Sequence, residues 1–363
     1  MAADPTLEVY EQRGPEWTDA RTATKTEAAR SLGDEVTGRL LDLGCGPGWH
    51  LPHLGAGAIG LDGAAAMLQL AAQRAPGHPL VRADLRHLPF RDRGLHGLWA
   101  KNSLVHLRQQ EVPAALAEVH RVLAVDGIAM LHLFSGPTTD AVAGPDTDFP
   151  GRRYSFWATD HLIRAVEGAG FELIDLDDSG PDDFLVLRLH RRHSLPDTVG
   201  PRMRLLISGL NPSPHASDTG VGFSRPGNRF WPAALDAGIV TIDRDPRHAL
   251  HHHHVGMTDL VKRTTRRADE LSTAEYQAGV GRLDHLCAWL EPGAVCFVGL
   301  AGWRAAVNTN ASAGWQEQAL GGRPVYVMPS TSGLNASSSR ADLAAHLTAA
   351  FAGPPTAGAD SGS

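Results

Sequence analysis

Apolar runs of strand length recur along the chain: RLLDLG (39–44), AIGLD (58–62), LHGLWA (95–100), IAMLHLF (128–134) and FLVLRLH (184–190), then MRLLISGL (203–210), AVCFVGL (294–300) and PVYVMPS (324–330). Segments with helical patterns separate them. Strands that alternate with helices in this way predict parallel sheets covered by helices on both faces. The pattern restarts after HRRHSLPDTVGPR (190–202), a polar stretch with two prolines that reads as a linker. The expected organisation is α/β, as two three-layer α/β/α domains. The first covers 1–192, a linker 193–202, the second and smaller domain 203–351, and a disordered tail 352–363 that contains GPPTAGADSGS.

Composition agrees with that outline. A length of 363 residues suits two domains with cores of their own. Hydrophobic residues make up 42% and charged residues 20%, which excludes a wholly disordered chain. No apolar run approaches the ~18–20 residues that cross a bilayer. The start, MAADPTLEVYEQRG, lacks the basic and apolar regions of a signal peptide. A soluble, cytoplasmic protein without a membrane partner is expected. Cys45, Cys287 and Cys296 cannot form a disulfide framework, and Cys45 and Cys296 lie in apolar runs as buried fillers. His251 to His254 read as a solvated turn, so no metal site is expected. The net charge of −7 argues against a generally basic surface, but its distribution is uneven. Residues 201–350 hold 14 Lys+Arg and 12 Asp+Glu, hence +2; the other residues hold 19 and 28, hence −9. Polyanion binding in the second half is permitted by this asymmetry.

Chemistry in the first half gathers at Leu40-Leu41-Asp42-Leu43-Gly44-Cys45-Gly46-Pro47-Gly48, a buried strand entering a glycine-rich turn that opens a helix. Dinucleotide sites are usually written GxGxxG and present a helix N-terminus to the pyrophosphate. Here the spacing is GxGxG, and Asp42 within the motif disfavours a pyrophosphate while suiting a ligand with a cationic amine and sulfonium. Asp62 follows the next strand, where an acid can accept both ribose hydroxyls. Asp84, near the end of a third strand, suits an adenine amino group. This ordered series resembles the class I S-adenosylmethionine-dependent methyltransferases over roughly 30–192. The likeness includes Arg121-Val122-Leu123 with Asp126-Gly127, and Glu167-Gly168-Ala169-Gly170-Phe171. It implies a Rossmann-like sheet, with Gly44, Gly46 and Gly48 lining the methionine part of the cofactor, Asp62 the ribose and Asp84 the adenine. The methyl acceptor is unknown. Asn102, Ser103 and His106 face the substrate side, His106 as a general base or as a polar lining residue.

In the second half, GLNPSPHASDTGVGFSRPGNRFW starts at Gly209 and delivers Asn211 from a strand into a small-residue loop. A neutral amide can orient water and bind a base edge, but is neither nucleophile nor strong base. Such a site suits a reaction driven by leaving-group departure. Phe223 can stack on a planar ligand. Near the end, Pro329-Ser330-Thr331-Ser332-Gly333-Leu334-Asn335 carries one large apolar side chain on a small-residue loop, which suits a wedge entering a base stack. With GMTDLVKR (256–263) between them, these loops resemble the mismatch-specific uracil/thymine DNA glycosylases of the uracil-DNA glycosylase superfamily over about 203–350.

That resemblance implies a smaller parallel sheet and a base-excision enzyme acting on double-stranded DNA with a G·U or G·T mismatch. Asn211 would position the hydrolytic water, Phe223 would stack on the extruded base, and Ser330 would contact the base or its phosphate. Gly333, Leu334 and Asn335 would form the wedge, while Asn228 and Arg229 brace the loop. Neither motif contains lysine, so no Schiff base and no strand cleavage are expected, and this half needs no cofactor. The run Lys262, Arg263, Arg266, Arg267 reads either as phosphate contacts or as a solvated face balanced by Asp269 and Glu270. The competing interpretation is a methyltransferase of a small molecule or nucleic acid whose second domain only binds DNA.

Overall fold

In the computed structural model, the described residues are 4–178, 184–333, 335 and 337–355. The chain divides into two compact units, Met1–Arg192 and His193–Ser363.

The first unit is built on a nine-stranded sheet: β1 (Leu40–Leu43), β2 (Ile59–Asp62), β3 (Leu80–Arg82), β4 (Leu95–Lys101), β5 (Leu123–Ser135), β6 (Thr139–Val142), β7 (Arg153–Trp157), β8 (Phe171–Asp177) and β9 (Phe184–Arg191). The spatial order is β3-β2-β1-β4-β5-β7-β6, parallel from β3 to β7, while β9 lies antiparallel to β5 and carries β8. Strand order reverses between β1 and β4, so the loops leaving their carboxyl ends flank the crevice where open α/β sheets receive ligands. The segment after Gly48 differs from expectation. A helix was expected there, yet 45–54 forms only successive turns, in which the Leu54 amide donates to His50 O (3.1 Å). Pro52 cannot donate a backbone hydrogen bond, and its ring cannot share a helix interior with the residue four before it. No helix N-terminus therefore faces the glycine turn.

The N-terminal helix Pro5–Asp19 starts with Asp4 accepting from the Thr6 amide (2.9 Å) and Pro5 at its first turn. Pro15 lies inside it, and the backbone leaves helical geometry at Arg13, as a missing N–H requires.

The second unit has a five-stranded sheet: β10 (Leu205–Gly209), β11 (Val255–Asp259), β12 (Ala294–Val298), β13 (Gly314–Trp315) and β14 (Val325–Met328), in the order β11-β10-β12-β14-β13, with β13 antiparallel. Every residue of β10, β11, β12 and β14 is buried, which explains the uninterrupted runs of β12 and β14. Alternate residues enter two separate cores. Leu205, Ile207, Cys296 and Met328 pack with Phe230 and Trp231 on one face, and Leu206, Val295, Phe297 and Val327 pack with Leu283 and Trp303 on the other. That division is the three-layer arrangement. The reversal of strand order here falls between β10 and β12.

The polar stretch 193–202 is folded against the second unit. Thr198 pairs with Met257 in an antiparallel bridge, and Asp197 is buried beneath it. Its carboxylate takes Lys262 Nζ (2.8 Å) and Thr258 Oγ1 (2.6 Å) on one oxygen and Arg282 Nη1 (2.7 Å) on the other. Two cations around one acid hold this strand-like segment where composition suggests a tether. The histidine run also differs from a turn: His251–His253 complete the helix Pro246–His253, and His254 ends it in a left-handed conformation. The end of the expected tail, 356–363, lies outside the described residues.

Candidate functional site

Two loop clusters at carboxyl ends of strands gather the residues singled out by sequence, one in each unit.

In the first, Gly44, Gly46 and Gly48 all take positive φ (72°, 52° and 81°), a conformation that favours glycine. A Cβ on Gly44 would lie 2.3 Å from Ser103 Cβ, so the loops after β1 and β4 meet there. A Cβ on Gly46 would meet nothing within 4 Å, which leaves the turn's outer surface open to a ligand. Asp62 fastens the turn. Its Oδ2 accepts from the Gly46 amide and its Oδ1 from the Ala64 amide, both at 2.9 Å. Burial raises the Asp62 carboxyl above its ordinary range, and these amides oppose the rise. Asp42 is more strongly affected. Burial pushes it up to about 8, with Asp62 adding to the rise and Lys101 opposing it, and its Oδ2 is buried without a hydrogen-bond partner. An orphaned carboxyl beneath an open glycine turn fits a cationic ligand group. Asn102 Oδ1 and Ser103 Oγ are also buried without partners on the β4 side.

Asp84 is already engaged. Arg86 binds it through Nε (3.0 Å) and Nη2 (2.7 Å), and also reaches Glu111 through Nη1 (2.8 Å). Burial alone would raise Asp84, but Arg86 more than offsets this and leaves the carboxyl below its ordinary range. His106 is not a free base. A carbonyl can only accept, so Nδ1 donates to Arg153 O (2.8 Å), and Nε2 therefore accepts from the Tyr10 hydroxyl (2.9 Å). Burial holds this imidazole down to about 4 and pushes the Tyr10 phenol up to about 12.

In the second unit, Asn211 follows β10 and its amide orientation is fixed. The Thr265 hydroxyl donates to Arg267 O (2.8 Å), so toward Asn211 it accepts, from Nδ2 at 2.7 Å. Nδ2 also donates to Arg263 O (2.9 Å). Both amide protons are thus committed to protein, and Oδ1 is left as an acceptor for a ligand. Phe223 has φ 58° and stacks on Phe230 (centroids 4.3 Å apart), so one ring face is backed by the core. A Cβ on Gly209 would lie 2.3 Å from Asp259 Oδ1 and 3.3 Å from Phe223 Cζ.

Asp259 is therefore a neighbour of this site that the sequence reading left inside a motif without a role. It ends β11 in register with Gly209, is buried, and is pushed up to about 6 by burial, with Lys262 opposing. The signal available was its position as the charged residue that ends a buried strand.

The loop after β14 is held by Arg229. Its amide donates to Thr331 O (2.9 Å), and its guanidinium donates to Ser332 O (3.2 Å), Asn335 O and Ser338 O. Asn228 Oδ1 accepts from the Phe230 amide (2.9 Å). Both residues brace the loops. Ser330 Oγ accepts from the Ser332 amide (3.3 Å). Gly333 closes against the neighbouring loop: a Cβ there would be 2.8 Å from Gly227 O. Asn335 differs from a wedge residue facing outward, because Nδ2 donates to Ser330 O (2.8 Å) and Oδ1 accepts from Ser337. Leu334, expected as the wedge itself, lies outside the described residues. The basic run is largely engaged within the protein: Lys262 with Asp197, Arg263 with Glu275 and Arg267 with Asp269. Among the described residues, no group of three or more His, Cys, Asp or Glu could hold a metal ion, and no helix is long and apolar enough to cross a membrane.

Comparison with known proteins agrees with this two-site organisation. Residues 41–131 match the model of a methyltransferase domain, and residues 196–352 match that of the uracil DNA glycosylase superfamily. The chain thus carries two enzymatic domains. Among solved structures, it is similar to an S-adenosylmethionine dependent methyltransferase from Mesorhizobium loti, at 20% identity over 46% of this chain and 96% of that one (TM-score 0.38). It is also similar to the 1,6-didemethyltoxoflavin-N1-methyltransferase of Burkholderia thailandensis, at 18% identity over 53% and 92% of the two chains (TM-score 0.42).

Proposed function

We propose that the second unit hydrolyses the N-glycosidic bond of uracil, or of thymine or a damaged pyrimidine, mispaired with guanine in duplex DNA, and that the first unit binds S-adenosylmethionine and transfers its methyl group. The observation that carries the first part is the fixed Asn211 amide, with its protons spent on the protein and Oδ1 left as an acceptor at the end of the strand whose Gly209 adjoins Phe223. In this reading the flipped base stacks on the face of Phe223 opposite Phe230, and Asn211 Oδ1 accepts a hydrogen bond from the attacking water, whose proton passes to the departed base anion or to solvent after the water has added. The C1′–N1 bond breaks as the base departs as an anion, and the water adds to the oxocarbenium-like sugar. An abasic site remains. Flipping costs least at a mismatch, which supplies selectivity without a strong base. Leu334, from the loop after β14, is assigned to fill the vacated stack. The test is a set of labelled duplexes containing G·U, G·T or A·U, together with single-stranded uracil DNA, each followed by alkaline cleavage. Release greatest from G·U supports the reading, and equal release from A·U overturns the mismatch preference.

Gly209→Ala is expected to damage this site from outside it. The new Cβ displaces Asp259 and the Phe223 ring, so uracil release falls while binding of S-adenosylhomocysteine to the other unit is unchanged. Unaltered release would mean that Phe223 is not held where the base stacks.

For the first unit, Asp42 faces the cofactor's cationic part, Gly44, Gly46 and Gly48 admit its methionine chain, Asp62 takes the ribose and Asp84 borders the adenine. When bound, the cofactor supplies a sulfonium methyl group. Asp62→Ala removes the ribose acceptor and frees the Gly46 amide that shapes the turn, so S-adenosylhomocysteine should bind at least about tenfold more weakly. Calorimetric titration measures this directly. An unchanged affinity would place the cofactor elsewhere.

A further inference from the structure

Three arginines surround the Phe149 ring: Arg13 (4.4 Å to the centroid), Arg152 (5.3 Å) and Arg21 (5.8 Å). Arg13 pairs with Glu16 and Arg21 with Asp148. Arg152 is the most buried of the three, at 8% exposure, and among the described residues it has no carboxylate within ion-pair distance. Removing a guanidinium from water without a counter-charge is costly, and such a group is stable only where hydrogen bonds or an anion compensate it. The protein supplies part of that compensation. Arg152 Nε donates to Phe149 O (3.1 Å), Nη1 donates to the Tyr10 hydroxyl (3.4 Å), and the rings of Tyr10 and Tyr154 lie 5.9 and 5.3 Å from its centre. Tyr10 contributes no negative charge, because burial keeps its phenol protonated.

Five N–H groups project from a guanidinium, and the two partners account for two of them. What is left is the end formed by Nη1 and Nη2, a fork that matches a carboxylate in bidentate fashion. The position of this fork in the fold is informative. Tyr10 links Arg152 to His106, His106 closes the short turn that begins after Ser103, and Ser103 abuts Gly44 of the glycine turn. Ser103 Oγ is buried and without a partner.

We infer that Arg152 is the anion-binding residue of the methyl-acceptor site, and that the acceptor is a small molecule carrying a carboxylate. Arg152 holds the carboxylate end-on, Tyr10 and Tyr154 flank it, and the Tyr10–His106 pair orients Tyr10. This inference rests on the reading of the first unit as an S-adenosylmethionine-dependent methyltransferase.

The test uses the full chain saturated with S-adenosylhomocysteine and titrated with benzoate, a carboxylate on a planar apolar body, or with its neutral counterpart benzamide, by ligand-observed NMR. Wild type should bind benzoate in preference to benzamide. Arg152→Gln should weaken benzoate by about tenfold or more, and Arg152→Lys, which keeps the charge, by clearly less. S-adenosylhomocysteine affinity should be the same in all three proteins, which also shows that the variants are folded. Benzoate binding that is absent from wild type, or equal in wild type and Arg152→Gln, overturns the inference. So does a loss of S-adenosylhomocysteine affinity in Arg152→Gln with 5′-methylthioadenosine, which lacks the carboxylate, unaffected; Arg152 would then hold the cofactor's own carboxylate. Failure of wild type to bind S-adenosylhomocysteine at all is a separate result, and it overturns the methyltransferase reading itself.

Discussion

Replacing Asn211 by alanine is expected to reduce uracil release from a G·U duplex by about 10²-fold or more, the loss that follows when a reacting group is no longer held in line with its target. The effect depends on how the amide is held. Thr265 and the Arg263 carbonyl consume both Nδ2 protons, so Oδ1 points away from them as a fixed acceptor. Alanine removes that acceptor and leaves the Thr265 and Arg263 oxygens without a donor, while the backbone of β10 has no reason to move. DNA binding should therefore survive, as should S-adenosylhomocysteine binding in the first unit. Single-turnover rates with saturating protein separate this outcome from weakened binding. A rate unchanged in Asn211→Ala would show that the water is positioned by another group, for which the buried Asp259, in register with Gly209, is a candidate.

A second large effect is expected at Asp197. Lys262 and Arg282 both bind its carboxylate in a buried setting, and Arg282 continues to Thr258 and the Asp259 carbonyl. Asp197→Ala leaves the buried Arg282 and the half-buried Lys262 without their shared counter-charge, and breaking such a network by removing one partner costs on the order of 3–5 kcal/mol. Burial alone would raise the Asp197 carboxyl, but Arg282 and Lys262 outweigh it and hold it below its ordinary value of 3.8. A depressed folded-state value has a defined consequence for pH. The stabilisation is complete above the unfolded value and is lost as pH falls through the folded one. Urea unfolding of wild type and Asp197→Ala should thus differ most at neutral pH and converge in acid, below the folded-state value. Equal stability at pH 7 would contradict the role given to this segment.

The legible part of this molecule is the part written in runs. Continuous apolar stretches such as LLI at 205–207 and AVCFV at 294–298 announce central parallel strands, because a strand buried on both faces has no polar period. Loops at their ends were legible for the same reason. What the sequence did not announce depends on partners far apart along the chain. Asp197 is one acid in a polar stretch with two prolines, and nothing local reveals that Arg282 reaches it from the helix Thr273–Leu290. Tyr10 and Arg152 meet across 142 positions, so no spacing rule joins them. The segment after Gly48 misled for a different reason, since a glycine turn after a strand usually opens a helix and only Pro52 argued against one. Asp84 and Asn335 were read by position alone. Their side chains are drawn instead to Arg86 and to the loop's own backbone, choices that short polar groups make locally and that apolar periodicity does not encode.

The most direct measurement is single-turnover release of uracil from a G·U duplex by the full wild-type chain, read as alkali-labile strand. One abasic site is expected for each duplex bound, with the strand intact until alkali is added. Duplex that is bound while the base is retained would contradict it, and would leave the second unit as a DNA-binding domain beside a methyltransferase.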